Sequence, residues 1–457
     1  MPWKTLSCAK RLNVSSKATP LKASTISSIR RTTLTQRPVE SLAPRNTSVA
    51  PTPLIINTFL CKVASRCNLD CDYCYMYHHV DQSWRDRPRF MSDETVKAFA
   101  RNLADYVMSA KIDEVTVLLH GGEPLLAGEQ RIIQFCNTIR QTLESQATTV
   151  EFAMQTNGVL LTPRWMEVLN EFNVTFGVSL DGNRTANDRH RVDHAGGSSY
   201  EEVERALQML QASPHGHLFR GFLSVIDLDN DPLATYRYLA QWKPPRLDFL
   251  FPEGTHDRPP PGIKGGGDVT RQPTPYADWL IPIFDEWFNN PGETGMRLFE
   301  NLIDVLLGGR SQTDGTGDGS FNLVTIETDG AIEDVDLYKA AYVGAPSLGL
   351  PSQPPPNVFS TSFAELTSWP NVIERHRLNM IEGLCRTCTQ CPAVQACGGG
   401  FVPHRWSLAN GFSNPSVYCA DLYKLSAHVN HKLGMALKPL LEIDQVKPLV
   451  QTKYASG

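Results

Sequence analysis

The sequence predicts an α/β protein in which six β/α units build a parallel sheet, as an open barrel or a doubly wound fold, followed by a small Cys-rich domain. Three observations predict it. Strand-length runs rich in Val, Ile, Phe and Leu alternate with helical patterns six times in about 200 residues, the signature of a parallel sheet. Hydrophobic residues are 41% and charged residues 20%, so most of the chain should fold around a core. A Pro- and Gly-rich stretch then separates these units from a C-terminal part that holds five of the 11 cysteines. In either sheet arrangement, ligands sit at the C-terminal ends of the strands.

In chain order, residues 1–51 come first. Residues 1–50 hold nine Lys/Arg against one acid, Glu40, and fifteen Ser/Thr, without amphipathic periodicity. They read as a disordered basic tail; a transit peptide or a misassigned start codon would have the same composition. The predicted core, 52–252, has strands at 54–65, 114–120, 149–156, 173–180, 217–226 and 246–252. Helices are predicted at 92–109, 129–144, 163–171, 199–212 and 232–241. Ser92 and Thr162, the latter before Pro163, are sensible helix starts. Residues 253–320 form a linker: a loop at 252–275, helices at 276–289 and 296–308, and a Gly/Asp-rich loop at 308–320. Trp279, Leu280, Ile283, Phe284 and Trp287 recur at helical spacing and form a packing face. A hairpin at 321–337 opens the last domain, 321–457.

The net charge is −5, but the first fifty residues carry +8 and the remainder −13, which excludes a general nucleic-acid binder. No apolar run approaches a membrane span. The cysteines fall in two groups: 67, 71 and 74, then 385, 388, 391, 397 and 419; Cys8, Cys61 and Cys136 stand apart. An odd count without a secretory signal argues for metal or cofactor sites in a reducing compartment, the cytoplasm. Cys67, Cys71 and Cys74 suit a zinc site completed by His78 or His79. They equally suit a [4Fe–4S] cluster with one open iron. Spacing alone does not decide.

The Cys-x3-Cys-x2-Cys spacing after the first strand, with the β/α series behind it, resembles the radical S-adenosylmethionine (SAM) superfamily. The second strand ends in His120-Gly121-Gly122-Glu123-Pro124, the third in Gln155-Thr156-Asn157-Gly158, and the fourth in Ser179-Leu180-Asp181-Gly182; Asn187-Asp188-Arg189-His190-Arg191 follows. The resemblance implies a partial (β/α)6 TIM-like barrel with a [4Fe–4S] cluster on Cys67, Cys71 and Cys74, whose open iron chelates SAM. Tyr73 would lie against the adenine, Gly121 and Gly122 would permit close approach, and Glu123 would accept from the SAM ammonium. Asn157 and Ser179 would contact the ribose, and Arg191 the carboxylate.

The second cysteine group resembles the SPASM extension, which carries auxiliary clusters. Cys388, Cys391, Cys397 and Cys419 match one complete [4Fe–4S] site. Val335 and Phe401 stand where further cysteines are usual, so the other auxiliary cluster looks lost, giving about eight irons per chain, at about four per cluster. Cys385 is a spare thiol. Asp336 matches the catalytic base of sulfatase-maturing relatives.

The longest matches resemble cyclophane-forming, FxsB-type peptide maturases. They include Asp81-Gln82-Ser83-Trp84-Arg85, Gly254 to Pro261, Cys397-Gly398-Gly399-Gly400, His404-Arg405, and Asn414 to Leu422. This resemblance implies an enzyme that cleaves SAM reductively to a 5′-deoxyadenosyl radical. It abstracts hydrogen from a Cβ of a ribosomally made precursor peptide and bridges that carbon to an aromatic ring two residues earlier. An electron donor such as flavodoxin or ferredoxin is implied, with the auxiliary cluster taking the substrate's electron and Asp336 its proton. Thioether formation, epimerisation and sulfatase-type Ser/Cys oxidation are the competing chemistries. A zinc-binding adaptor is the competing non-enzyme.

Overall fold

The computed structural model describes residues 54–265, 268–319, 322–349 and 354–441; the basic tail with Cys8, and residues 442–457, lie outside the described residues. Residues 54–426 belong to one compact unit, which holds every residue of the site described below, and 427–441 to a second.

Six parallel strands carry the core: β1 (Thr58–Ala64), β2 (Glu114–Gly121), β3 (Thr149–Thr156), β4 (Thr175–Ser179), β5 (Phe219–Val225) and β6 (Arg246–Leu250). The connecting helices are α1 (Asp93–Ala110), α2 (Glu129–Leu143), α3 (Pro163–Glu171), α4 (Tyr200–Ala212) and α5 (Pro232–Ala240). Every strand and helix predicted for the core is present, about half of the bounds shifting inward by one to four residues, as fraying ends do. Local chemistry explains the starts. The Ser92 hydroxyl accepts from Thr95 N, and the Thr162 hydroxyl from Trp165 N, each at 3.2 Å. In α1, Val96, Phe99, Ala100, Leu103 and Val107 are buried at three- and four-residue spacing, so one stripe faces the sheet. The predicted packing face lies in α6 (Pro275–Asn289), where all five residues are buried.

The sheet does not stop at the barrel. A two-residue strand, β7 (Gly295–Met296), precedes α7 (Arg297–Leu306) and pairs with β6. The predicted hairpin forms as β8 (Leu323–Ile326) and β9 (Ile332–Glu333), and β8 pairs in parallel with β1, Thr58 opposite Leu323. One nine-stranded sheet, β7-β6-β5-β4-β3-β2-β1-β8-β9, therefore runs from the barrel into the Cys-rich part. Beyond it lie α8 (Pro370–Asn379) and α9 (Cys419–Leu441). No helix among the described residues is long and apolar enough to cross a membrane.

Candidate active site

The C-terminal ends of β2 to β6 and the loop after β1 surround a cavity of about 350 Å³. That loop brings Cys67, Cys71 and Cys74 to the cavity wall. Tight turns shape it, with Cys74 N donating to Cys71 O and His78 N to Cys74 O, each at 2.9 Å. Gly121 and Gly122 let β2 pass against it. A Cβ on Gly122 would lie 2.0 Å from the Tyr77 hydroxyl and 2.3 Å from Arg66 O, so no other residue fits.

Of the residues proposed to hold SAM, Tyr73, Gly121, Gly122, Asn157, Ser179 and Arg191 line this cavity together. Asn157 Nδ2 donates to Asn68 Oδ1 at 2.9 Å and lies 3.6 Å from Cys67 Sγ. The Ser179 hydroxyl accepts from Gln155 Nε2 at 2.8 Å. Arg191 Nη1 donates to the Tyr73 hydroxyl at 2.8 Å, and Tyr73 donates to Asp181, which also accepts from Val225 N at 2.9 Å. The Tyr73 hydroxyl thus bridges Arg191 and Asp181.

Glu123 is placed differently from its neighbours. It is 1% exposed and does not line the cavity. Its two oxygens accept from Leu125 N (3.0 Å), the Thr156 hydroxyl (2.8 Å) and Asn157 N (2.7 Å), stapling the end of β2 to the end of β3. Burial pushes its carboxyl up to about 7, against the pull of those donors.

Asp336 opens a short helix just after β9 and reaches the cavity. Its Oδ2 lies 2.8 Å from Lys62 Nζ and accepts from the Tyr75 hydroxyl at 3.3 Å. Burial alone would raise this carboxyl; the Lys62 ammonium overrides it and holds Asp336 down to about 2. Lys62 also stands 3.5 Å from Glu327, which is 3.4 Å from Lys339. Burial holds His120, in the same wall, down to about 4, so it is a neutral imidazole. Opposite, Glu253 meets His404 Nε2 at 3.0 Å and Asp248 accepts from Arg297 Nε at 2.6 Å. Sequence reasoning missed Lys62, Asp181 and these two pairs.

Val335 and Phe401 both face the cavity. Val335 packs on Leu60, Leu118, Ala153 and Leu323, and the Phe401 ring meets the His404 ring edge-on at 5.5 Å. They form an apolar wall where cysteines were expected by resemblance.

Gly400, Phe401 and Tyr418, which line the cavity, adjoin Cys397 and Cys419 of the second thiol group in sequence. Cys388 is within electrostatic reach of Cys397 and Cys419, and Cys397 of Cys391. Cys385 joins them, a hydrogen bond with Cys388 pulling its thiol down to about 6. Among the described residues, no three His, Cys, Asp or Glu side chains form a group fit for a single metal ion. His78, a proposed zinc ligand, instead meets Asp70 at 2.9 Å. Both donor sets are thiol-only, the chemistry a [4Fe–4S] cluster takes, and the first lies beside the cavity that Tyr73, Ser179 and Arg191 line. Cys61 and Cys136 are fully buried, and burial raises both thiols, which makes them core residues.

Comparison with known proteins matches residues 61–220 to the profile described as the Radical SAM superfamily. The chain is 24% identical over 413 residues to the serine-type anaerobic sulfatase-maturating enzyme of Bacteroides thetaiotaomicron, covering 86% of this chain and 94% of that one. It is 24% identical over 284 residues to the cysteine-type enzyme of Clostridium perfringens, covering 60% and 72%. The solved structure of native anSMEcpe with bound AdoMet and Kp18Cys peptide superposes with a TM-score of 0.69 at 22% identity, over 83% of this chain and 99% of that one. At that identity the likeness speaks for the fold.

Proposed function

We propose, from the match of residues 61–220 to the radical SAM superfamily, whose chemistry uses SAM and a [4Fe–4S] cluster, that this chain is a peptide maturase that installs a C–C crosslink between an aromatic ring and a Cβ. When bound, SAM and the cluster held by Cys67, Cys71 and Cys74 supply the hydrogen-atom abstraction, and a cluster held by Cys388, Cys391, Cys397 and Cys419 supplies an electron sink. The residues of the chain do the rest. Arg191, Tyr73 and Ser179 orient the cofactor at the strand ends. The apolar wall of Val335 and Phe401 keeps water and competing thiols from the reacting carbon. Asp336, ionised and already facing the cavity, receives the ring proton, and Lys62 holds it in place.

The observation that carries this reading is where the distinctive segments lie. Asp81–Arg85 clasps the cysteine loop: Arg66 Nη1 donates to Trp84 O at 2.7 Å and Gln82 Nε2 to Tyr77 O at 2.9 Å. Gly254–Pro261 clasps the Cys-rich part: His256 N donates to Trp406 O at 3.0 Å and Leu408 N to Asp257 at 2.7 Å. These two segments thus brace the cysteine loop and the Cys-rich part, while Gly400, His404, Tyr418 and Leu422 from the other matching segments line the cavity itself.

The sulfatase-maturating relatives favour a second reading, oxidation of a peptide Ser or Cys to an aldehyde. The experiment is anaerobic reaction with a candidate precursor peptide and tandem mass spectrometry. Crosslinking and serine oxidation both remove two hydrogens. A crosslink suppresses backbone cleavage across three residues and ignores hydrazide reagents; an aldehyde captures them and would overturn the first reading in favour of the second. A product of unchanged mass would overturn both.

A further inference from the structure

Arg405 is 2% exposed, and its guanidinium is spent on four backbone carbonyls. Nε donates to Gly399 O (2.9 Å), Nη1 to Leu378 O (2.8 Å), and Nη2 to Gly398 O (2.9 Å) and Gly400 O (2.6 Å). Gly398, Gly399 and Gly400 follow Cys397 directly. All three have positive φ, +59°, +79° and +67°. A Cβ on Gly399 would sit 3.0 Å from the guanidinium carbon. The triple glycine is what lets three successive carbonyls converge on one side chain.

These acceptors are neutral, and among the described residues no carboxylate pairs with Arg405. A guanidinium stays protonated in a protein. A buried cation without an anion carries a heavy desolvation cost. The groups within its electrostatic reach are Tyr338, whose phenol burial pushes up and so keeps neutral, and the thiols Cys388, Cys397 and Cys385. A cubane held by four thiolates is anionic in both of its common oxidation states, because the thiolates outweigh the core's positive charge.

We propose that Arg405 is the buried counter-cation of the auxiliary cluster, stabilising its bound form and raising its reduction potential so that it accepts an electron. This rests on the reading that Cys388, Cys391, Cys397 and Cys419 hold that cluster. The sign follows from charge: reduction adds negative charge, and a fixed neighbouring cation in a low-dielectric surround favours the reduced form. Arg405 acts through the cluster and is a positioning residue.

The test uses the full chain with Cys67, Cys71 and Cys74 all changed to Ala, so that iron and paramagnetic signals report the auxiliary cluster alone. Iron content and the midpoint from a potentiometric titration followed by electron paramagnetic resonance are measured in this parent, in Arg405→Lys and in Arg405→Gln. A parent without iron sinks the cluster reading itself, separately from Arg405. With iron in the parent, Arg405→Lys is expected to keep iron and a midpoint near the parent's. Arg405→Gln is expected to move the midpoint negative, or to lose the iron that Arg405→Lys retains. Equal midpoints in all three, or equal loss of iron from both variants, would overturn the proposal, because the arginine would then be a loop staple without an electrostatic role.

Discussion

Lys62 and Asp336 meet at 2.8 Å with side chains 0% and 3% exposed, one from the middle of β1 and the other from just past β9. Removing one partner of a buried pair leaves the other charge uncompensated, at about 3–5 kcal/mol. Asp336→Asn and Lys62→Met should each lower unfolding free energy by that order in urea titrations. The double variant Lys62→Met/Asp336→Leu should recover part of the loss. Independent, additive costs would show that the pair is not coupled. Because the Asp336 carboxyl is held down to about 2, the pair's stabilisation is fully present above the ordinary carboxylate range near 3.8. It is lost as pH falls through about 2. An acidic limb near pH 4 in the rate profile would therefore not come from Asp336.

Glu123 shows the opposite sign. Its carboxyl is raised to about 7, so the protonated form favours the fold. The associated stability is present below the ordinary value of 4.5 and lost as pH rises through about 7. Stability curves of the wild-type chain should slope downward across that window, by about 3 kcal/mol from Glu123 itself. Glu123→Gln should flatten the slope. It should also lower overall stability by about 1–3 kcal/mol, since an amide cannot accept from all three donors. An unchanged slope in the variant would assign the pH dependence elsewhere.

Tyr73→Phe removes the hydroxyl between Arg191 and Asp181 without changing ring volume. The buried Asp181 carboxylate then loses one of its two donors, at about 1–3 kcal/mol. SAM affinity measured by calorimetry should fall about tenfold or more as Arg191 loses its fixed position. Affinity equal to wild type would mean that Arg191 is held by other contacts.

Gly122→Ala forces a methyl group into Arg66 O, whereas Gly292 has nothing within 4 Å of an added Cβ. Gly122→Ala should cut iron loading by about half, the share of one cluster in two. Gly292→Ala should leave iron content unchanged. Full iron loading in Gly122→Ala would show that the cysteine loop tolerates displacement.

The sheet and its helices were legible because their signals are local. The buried stripe of α1 and the caps at Ser92 and Thr162 read directly from spacing and residue type. Cys67, Tyr73, Asn157, Ser179 and Arg191 are singled out by the family resemblance, and all five line one cavity at the C-terminal strand ends. Lys62 was not legible. A lone lysine in Thr58–Ala64 reads as an outward-facing edge residue, and only the arrival of Glu327 and Asp336 from the far end of the chain gives it partners. β7 escaped for a similar reason: two residues carry no periodicity and become a strand only because β6 lies alongside. The cross-strand partners of Glu123, the Thr156 hydroxyl and Asn157 N at the end of β3, were not legible because its motif stops at the turn.

The pairing of β1 with β8 also sets an order of events during translation. When β6 has emerged from the ribosome, one edge of the barrel sheet, Thr58–Ala64, still lacks its neighbour. Unpaired apolar strand edges template association between chains, and contacts distant in sequence form late. The half-made barrel therefore passes through an adhesive interval that closes only once Leu323–Ile326 is synthesised. A chain stopped before that point would be expected to aggregate even though all six β/α units are present.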